Sequence, residues 1–515
     1  EDVGNAIAVD REGSVYVAGY TRTASYGTGD FLLIKYDAQG DTVWVRLYNG
    51  PGDSEDEAVA VATDADGNVY VTGFSTGDGT GSDFATLRYS ASGDLQWVRR
   101  YDGLLRDNDL PYAMAMDSAG NLYVAGESGG LTSFSDFLTI KYSPDGQERW
   151  VRRDSCLAIA TDRANAVALD RSAARVFVTG TSVGNQTGPD YCTSCYEAST
   201  GDVVWQQRYN GPLNGGDEAR AIAVDDQGNA YVTGYANDGP STPSDYATLQ
   251  YDPTGALRWV RTYNGTGNGD DAGEAMGVDS RGRVYVTGTS FGDTTDFDAA
   301  TVAYDADGSL LWERRYNGEG NANDAPYALA LDAAGNVYTT GVGGDYAVSR
   351  ATTVAYTPEG TRLWVARSEM AAVGRDIGLD AAGSVYVTGN LVGYDPDCLT
   401  IKYAQTGDGP TAVKGWGDAL PPRTLYLGAA YPNPFNAECV IPVASPAGGQ
   451  GIDLAVYDIL GRRLRTLRFG GLQAGWAAVV WDGRDEQGRD VASGIYLVAL
   501  RRAGSQAVRT AVLAR

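Results

Sequence analysis

The sequence of 515 residues contains no histidine. Catalysis by Ser-His-Asp or Cys-His groups, zinc sites of the HExxH type and haem ligation through histidine are therefore excluded. Long apolar runs are also missing, and the stretch 495–500 is typical of the longest. Because a membrane-spanning helix needs roughly 20 apolar residues, we expect no transmembrane segment. Glu1 directly precedes a predicted strand, so we expect it to lie near a processed N-terminus, with a leader outside this numbering.

Basic residues are scarce relative to acidic ones. The chain has 40 Lys and Arg against 66 Asp and Glu, which gives a formal charge of −26. Such a surface repels nucleic acid, and no basic cluster offsets it, so we expect no nucleic-acid partner. A solvated acidic surface is the plainest interpretation, and a basic partner or a cation-rich environment also fits.

Cysteine is scarce as well, with five residues and no repeated spacing of the zinc-binding kind. Cys192 and Cys195 lie within one predicted strand at an odd separation. Their side chains are expected on opposite faces, which disfavours a shared metal or a mutual disulfide. Cys156, in the preceding connection, could instead form a disulfide with either of them.

The most prominent feature is a repeat that fills the first four-fifths of the chain. The motif YVxG recurs eight times with variations, at spacings of 48 to 54 residues. Its glycines are Gly19, Gly73, Gly126, Gly180, Gly234, Gly288, Gly341 and Gly389. A period near 53 with four predicted strands per unit predicts the blades of a β-propeller.

Each repeat reads as four strands, which we name a, b, c and d. Strand a ends on an aspartate, a DxxG turn follows, and strand b carries the YVxG motif. Strand d carries a tryptophan in seven repeats, at Trp44, Trp97, Trp150, Trp205, Trp259, Trp312 and Trp364. We expect these rings to dock between neighbouring blades and set their spacing, with a ring of ligand-stacking platforms as the alternative.

The eighth repeat has strands a, b and c but lacks the tryptophan, whose expected position is Thr411. We predict an all-β chain with an eight-bladed propeller of four-stranded blades over 1–404, and a seven-bladed ring is the alternative. The last blade would be closed by a degenerate strand near 409–416, by the following domain or by another subunit.

A second domain follows the repeats. Residues 405–424 read as a degenerate last strand and a linker interrupted by prolines. Residues 425–515 lack the repeat and show six or seven short strands with alternating apolar residues. This pattern predicts a small β-sandwich.

Acidic residues cluster in the connections between strands d and a, on the end of the ring where the longer loops lie. Loops on a rigid scaffold often carry function. Carboxylates and loop carbonyls are ligands for calcium, and Asp53, Asp56, Asp270 and Asp271 are the candidates. The strand-c aspartates recur once per blade, with Arg350 as the exception, and are expected to bond to backbone at a blade edge: Asp30, Asp83, Asp136, Asp190, Asp245, Asp298 and Asp397.

The repeat unit, with its NAIAVD, DxxG, VYVTG and DFxTIKY segments and its tryptophan, resembles the bacterial secreted β-propeller repeat family SBBP over about residues 4–403. That resemblance implies an extracellular scaffold and supplies no catalytic residues. The stretch TGDVVW at 200–205 is similar to the tryptophan-docking stretch of quinoprotein-type propellers. Because adjacent cysteines are lacking, only the docking geometry is transferred and not the cofactor.

The segments YPNPFN, VYDILGRRLRTL and WDGRDEQGRDVASGIYLVAL lie within 425–515. They resemble the immunoglobulin-like domain shared by flagellar hook-capping proteins and type IX secretion sorting domains. The resemblance implies an immunoglobulin-like sandwich that engages export machinery and attaches the chain to the surface of a Gram-negative bacterium.

Together these patterns predict a non-catalytic scaffold that is extracellular or at the cell surface. The propeller would be a platform for a surface glycan or protein ligand, or for self-assembly into a homo-oligomer, filament or surface layer. No cofactor is expected apart from calcium. The alternatives are a secreted carbohydrate-active propeller that uses two carboxylates and a calcium-dependent adhesin.

Overall fold

The structure is a computed structural model of the chain. It divides into two compact units, Glu1–Val413 and Lys414–Arg515, so the first unit extends beyond the predicted boundary at 404. The residues described are 1–22, 28–103, 105, 107–130, 134–156, 161–184, 187–212, 214–237, 243–318, 321–344, 348–393, 396–406, 409–413, 426–427, 439–445, 453–459, 461–467, 475–502 and 505–513.

The first unit consists of eight antiparallel sheets of four strands, each formed in chain order from strands a to d. This grouping is consistent with the predicted eight blades, which we number in chain order. The strands are β1 Asp2–Val9, β2 Val15–Arg22, β3 Gly29–Tyr36, β4 Thr42–Tyr48; β5 Asp56–Thr63, β6 Val69–Thr76, β7 Ser82–Tyr89, β8 Leu95–Tyr101; β9 Asp109–Met116, β10 Leu122–Gly129, β11 Ser135–Tyr142, β12 Glu148–Asp154; β13 Asp162–Leu169, β14 Arg175–Gly184, β15 Gly188–Glu197, β16 Val203–Tyr209; β17 Asp217–Val224, β18 Ala230–Asn237, β19 Ser244–Tyr251, β20 Leu257–Tyr263; β21 Asp271–Val278, β22 Val284–Phe291, β23 Phe297–Tyr304, β24 Leu310–Tyr316; β25 Ala325–Leu331, β26 Val337–Gly344, β27 Ser349–Tyr356, β28 Arg362–Arg367; and β29 Ala372–Leu379, β30 Val385–Leu391, β31 Cys398–Thr406, β32 Gly409–Val413.

The DxxG turn between strands a and b is stabilised by its own aspartate. In the second blade, one oxygen of Asp64 accepts hydrogen bonds from the backbone N–H groups of Asp66 and Asn68, at 3.0 and 2.9 Å. The other oxygen accepts the hydroxyl of Tyr70, at 3.1 Å. Gly67 has a φ of 76°, a conformation that favours glycine. The turn therefore requires these two residue types at this spacing, as the sequence predicts.

The tryptophans dock between blades, which confirms the prediction. Trp97 is 8% exposed and lies between Tyr70 of its own blade and Tyr142 of the next, at 6.1 and 6.4 Å between ring centroids. Its Nε1 donates to the carbonyl of Pro144 in the next blade, at 3.1 Å. Five other tryptophans donate to the equivalent carbonyl of the following blade. These six rings therefore connect two blades through both packing and a hydrogen bond, whereas Trp364 packs between Tyr338 and Tyr403 without that bond.

The eighth blade obtains its fourth strand from its own chain, because β32 pairs with β31. The predicted position of the missing tryptophan is wrong, since Val413 and not Thr411 lies opposite Lys402. In the other blades a bulge shifts the c–d register just beyond this pair, as between Lys35 and Tyr36. The β31–β32 ladder lacks that shift, and the register differs accordingly.

The ring closes by direct contact between the eighth and first blades. The backbone N–H of Ile7 donates to the carboxylate of Asp376 at 2.9 Å. Lys402 donates to the carbonyl of Ala38 at 3.2 Å. Tyr386 of the eighth blade also shares a buried core with residues of the first. The first unit is thus a closed ring of its own strands.

The positions of the cysteines agree with the prediction that the side chains of Cys192 and Cys195 lie on opposite faces of one strand. Cys156 and Cys192 form a disulfide, with Cα atoms 6.2 Å apart. Cys195 belongs to the core on the opposite face of the strand, shared with the fifth blade, and burial raises the pKa of its thiol to about 12. The disulfide thus connects the d–a connection of the third blade to strand c of the fourth.

The described residues of the second unit form two sheets. One has the order β33-β34-β37, with β33 Tyr426–Leu427, β34 Cys439–Ser445 and β37 Gly475–Trp481. The other has the order β36-β35-β38-β39, with β35 Asp453–Tyr457, β36 Arg463–Leu467, β38 Gly494–Arg502 and β39 Ser505–Leu513. Ile441 and Trp481 from the first sheet share a buried core with Val456, Val498 and Leu513 from the second. Within the described residues, no helix has the length and apolar character needed to cross a membrane.

Candidate functional site

Strand a of every blade lies at the centre of the ring. Each strand a contacts strand a of the next blade, and β29 contacts β1 to complete the circle. Side chains of these strands that do not enter a blade core therefore face the central channel. This places eight copies of one strand around a shared space.

A β-bulge interrupts each of these eight strands at the same point. One residue per strand has no partner in strand b, and we call this set the bulge ring. Its members are Asn5, Val59, Tyr112, Asn165, Arg220, Glu274, Tyr327 and Arg375. Bulges redirect a side chain and are enriched next to functional sites.

The glycine of the YVxG motif lies opposite the bulge and makes it possible. A Cβ on Gly73 would overlap the backbone carbonyl of Glu57, and each of the other seven glycines meets the equivalent carbonyl. The residue before the bulge is buried and small or cyclic in all eight strands: Gly4, Ala58, Pro111, Ala164, Ala219, Gly273, Pro326 and Gly374. The repeated motif therefore encodes a constant backbone shape.

The bulge residues themselves vary, unlike the positions around them. They comprise two tyrosines, two arginines, two asparagines, one glutamate and one valine. All contact solvent, and Tyr327 is 44% exposed. Tyrosine and arginine are the residues most often found at the centres of binding interfaces. Chemical variety on a constant backbone is typical of a binding surface rather than of packing.

Ion pairs connect strands a from the fourth to the sixth blade, and one of them joins two members of the bulge ring. Arg163 lies 3.4 Å from Glu218, and Arg220 pairs with Glu274. The guanidinium of Arg220 also lies 5.0 Å from the ring centroid of Tyr235. Burial raises the pKa of Glu274, while the neighbouring Arg220 opposes that rise. This side of the channel is charged but internally paired.

The remaining blades present hydrogen-bonding and aromatic groups. Asn5 donates to Glu57 at 2.9 Å, and the hydroxyl of Tyr112 donates to Glu127 at 2.6 Å. Burial raises the pKa of Tyr112. Arg375 is exposed and donates to Asn390 at 3.0 Å.

Two of the predicted calcium ligands are buried structural acids. Asp56 is 1% exposed and accepts the backbone N–H of Gly50 at 2.6 Å and that of Thr76 at 3.1 Å. Asp271 occupies the same place in the sixth blade and accepts the N–H of Gly265 at 2.8 Å. Burial raises the pKa of both carboxyls. Their oxygens hold the d–a connection in place.

The other two candidates lie in the same connections. Asp53 has a φ of 45° and accepts Asn49 Nδ2 at 2.7 Å. Its equivalents are asparagines with positive φ, which identifies a turn position: Asn214, Asn268 and Asn321. Asp270 is exposed and accepts the backbone N–H of Ser244 at 3.0 Å. The structure does not gather the four candidates, because one pair precedes the second blade and the other precedes the sixth.

The strand-c aspartates have a different partner from the one expected. In the second blade, Asp83 accepts Arg100 of strand d at 2.7 Å and the hydroxyl of Thr80 at 2.9 Å. Arg208 with Asp190 and Arg315 with Asp298 repeat this pair in the fourth and sixth blades. The expected backbone bonding is therefore wrong for these blades, where the guanidinium neutralises the carboxylate.

A ring of four-stranded blades followed by a separate two-sheet domain defines a β-propeller protein with an immunoglobulin-like domain. The family model described as "Beta-propeller repeat" matches residues 1–27 and 208–240. The family model described as "FlgD Ig-like domain" matches residues 442–505.

Individual proteins match over more limited extents. Regulatory protein FlaEY of Caulobacter vibrioides is 32% identical over 143 residues, which span 23% of this chain and only 14% of that protein. Chaetomium thermophilum Sqt1, solved bound to the N-terminus of ribosomal protein L10, has a TM-score of 0.50 at 10% identity, covering 76% of this chain and 94% of its own. PorZ of Porphyromonas gingivalis has a TM-score of 0.35 at 14% identity, covering 99% and 81%. The likeness to Sqt1 shows the fold alone.

Proposed function

We propose that this protein is a non-catalytic scaffold, exported to the cell surface or beyond, whose propeller binds a polar macromolecule at the bulge ring. The observation that carries the proposal is the variation of eight side chains on a backbone that the repeat holds constant. Tyr327 and Arg375 supply the aromatic and cationic anchors that protein and glycan ligands commonly contact. Binding sites of this kind need a rigid scaffold, which the docked tryptophans supply.

The carboxylates of the channel support a non-catalytic role. A glycosidase needs one ionised and one protonated carboxyl group flanking the bond that it breaks. Here Glu218 lies beside Arg163, Glu274 pairs with Arg220, and Glu57 accepts Asn5. We expect no turnover on a panel of polysaccharides, and hydrolysis abolished by a single carboxylate substitution would refute the proposal.

Export is proposed from the resemblance of both parts of the chain to secreted or exported modules. The second unit would serve recognition by export machinery, anchoring or subunit contact, and its type IX sorting role belongs to this proposal. In the native host, a chain that lacks residues 425–515 should stay inside the cell. Normal release of that truncated chain would refute an export role.

Self-assembly has less support than the binding role. A filament would need an incomplete eighth blade, whose open edge would recruit a strand. In the structure β32 supplies that strand and the ring closes onto β1. Light scattering should therefore report a particle near the chain mass of 54.4 kDa, and a ladder of larger masses would restore the assembly hypothesis.

The binding role is tested with glycan and peptide arrays probed by the full chain. The double variant Tyr327→Ala/Arg375→Ala should weaken binding at least tenfold without changing thermal unfolding. The control is Arg11→Ala/Arg281→Ala, which removes two exposed arginines from the a–b turns. Equal binding by both double variants, or no binding by the unmodified chain to either array, would refute the assignment of the bulge ring.

A further inference from the structure

The junction between the second and third blades differs from the others by one carboxylate. The turn after strand d carries asparagine before four other blades, at Asn49, Asn210, Asn264 and Asn317. Before the third blade this residue is Asp102. Three of the asparagines donate to the turn residue four positions on, which a carboxylate cannot do.

Asp102 joins two buried acids that face each other across the junction. Asp83 of the second blade and Asp109 of the third are 2% and 1% exposed. One oxygen from each of Asp83, Asp102 and Asp109 lies within 4.8 Å of the others, and no other such group of three occurs among the described residues. Oxygens that bind one calcium ion at about 2.3–2.6 Å can be at most about 5 Å apart, so the spacing suits a single ion.

The hydrogen bonds made by these acids leave one carboxylate oxygen available to a ligand. Asp109 is held by the N–H of Gly103, at 2.6 Å, and by the hydroxyl of Ser128. Asp83 uses Oδ2 for Arg100 and Thr80, while its buried Oδ1 has no hydrogen-bond partner. A buried carboxylate oxygen without a partner is costly, and a bound cation would remove that cost.

We propose that this junction binds one divalent cation, with calcium as the expected ion, through Asp83, Asp102 and Asp109. The charges favour a cation: among the described residues, three carboxylates adjoin two guanidinium groups, those of Arg100 and Arg153. Arg153 lies 3.6 Å from Asp136, donates to the carbonyl of Ser128 at 2.9 Å and acts on Asp109 through its charge. The site would fix the second blade to the third where the longer loops lie, and it is independent of the proposed bulge-ring ligand.

The sixth and seventh blades supply a matched comparison. There Asp298 and Asp324 repeat the buried pair, Arg315 repeats Arg100, and Asn317 stands in place of the third carboxylate. Oδ1 of Asp298 is again buried without a partner. The third carboxylate is one difference between the two junctions, beside Gly343 in place of Ser128 and Arg350 in place of Asp136, and a substitution can move that carboxylate from one junction to the other.

The test is calorimetric titration of the chelator-treated full chain with calcium chloride. The unmodified chain should bind one ion, Asp102→Asn should weaken that binding at least tenfold, and Asn317→Asp should add a second ion. Asp102→Asn restores the residue of four other junctions, so its unfolding in chelator should match that of the unmodified chain. Absence of calcium binding, or equal binding by Asp102→Asn, would overturn the proposal and favour a proton shared between Asp83 and Asp109.

Discussion

The glycine of the YVxG motif is the residue on which the bulge depends, and replacing it tests how the channel surface is formed. A Cβ on Gly389 would overlap the carbonyl oxygen of Val373 and lie 3.2 Å from the backbone nitrogen of Arg375. Both obstacles are backbone atoms, so no side-chain rotation relieves them. Overpacking a core costs about 1–3 kcal/mol, and we expect Gly389→Ala to lose about 3 kcal/mol in free energy of unfolding.

Gly393 provides the control in the same blade. It has open space around its Cβ position and no positive φ, so Gly393→Ala should change stability by no more than about 0.5 kcal/mol. Both variants would be unfolded in urea and followed by tryptophan fluorescence. If Gly389→Ala is as stable as Gly393→Ala, the bulge does not require a glycine at this position of strand b.

Two further predictions concern the junctions between blades. Trp259→Ala should lower the free energy of unfolding by about 3–5 kcal/mol, because the ring is 8% exposed. Trp259→Phe should mainly lose the hydrogen bond to the Ala306 carbonyl, which is worth about 0.5–1.5 kcal/mol. Equal stabilities of the two variants and the unmodified chain in urea would refute the docking role. Burial raises the pKa of Asp324 to about 6, so its ionisation should destabilise the fold as pH rises from about 4 to 6. Asp324→Asn should therefore gain about 2.4 kcal/mol relative to the unmodified chain between pH 4 and pH 7, and a pH-independent difference would contradict this sign.

The parts of the fold that could be predicted from the sequence are those set by local chemistry. The DxxG turn needs an aspartate to accept two backbone N–H groups and a glycine with positive φ, and both occur within four residues of Asp64. The tryptophan docks were predictable because one large ring recurred at a fixed distance from each turn. Because these local patterns recur at a regular spacing, they predict the architecture of the whole ring.

The parts that could not be predicted depend on register between strands. A bulge exists only as a mismatch of two strands, and nothing in strand a alone shows that Arg220 lacks a partner. Its signal was the combination of a fixed glycine in strand b and a varying residue in strand a. Likewise, the sequence predicts a backbone partner for Asp83, because Arg100 lies seventeen positions away in sequence. The fold brings the two side chains to 2.7 Å from each other. The same holds for Val413, whose place opposite Lys402 depends on a missing bulge.

Departures from the repeat are of two kinds, and the difference indicates where function should be sought. Arg350 replaces the strand-c aspartate in the seventh blade, and the structure compensates for it. Arg350 donates to the carbonyl of Ser368 at 2.8 Å, and Arg367 donates to the hydroxyl of Tyr316 at 2.9 Å. Asp102 receives no such compensation, because no described group donates to its carboxylate, and it adds negative charge beside two buried acids. A compensated exchange preserves packing, whereas Asp102 adds charge beside two buried acids, and the Asp102 junction is therefore the better place to look for a ligand.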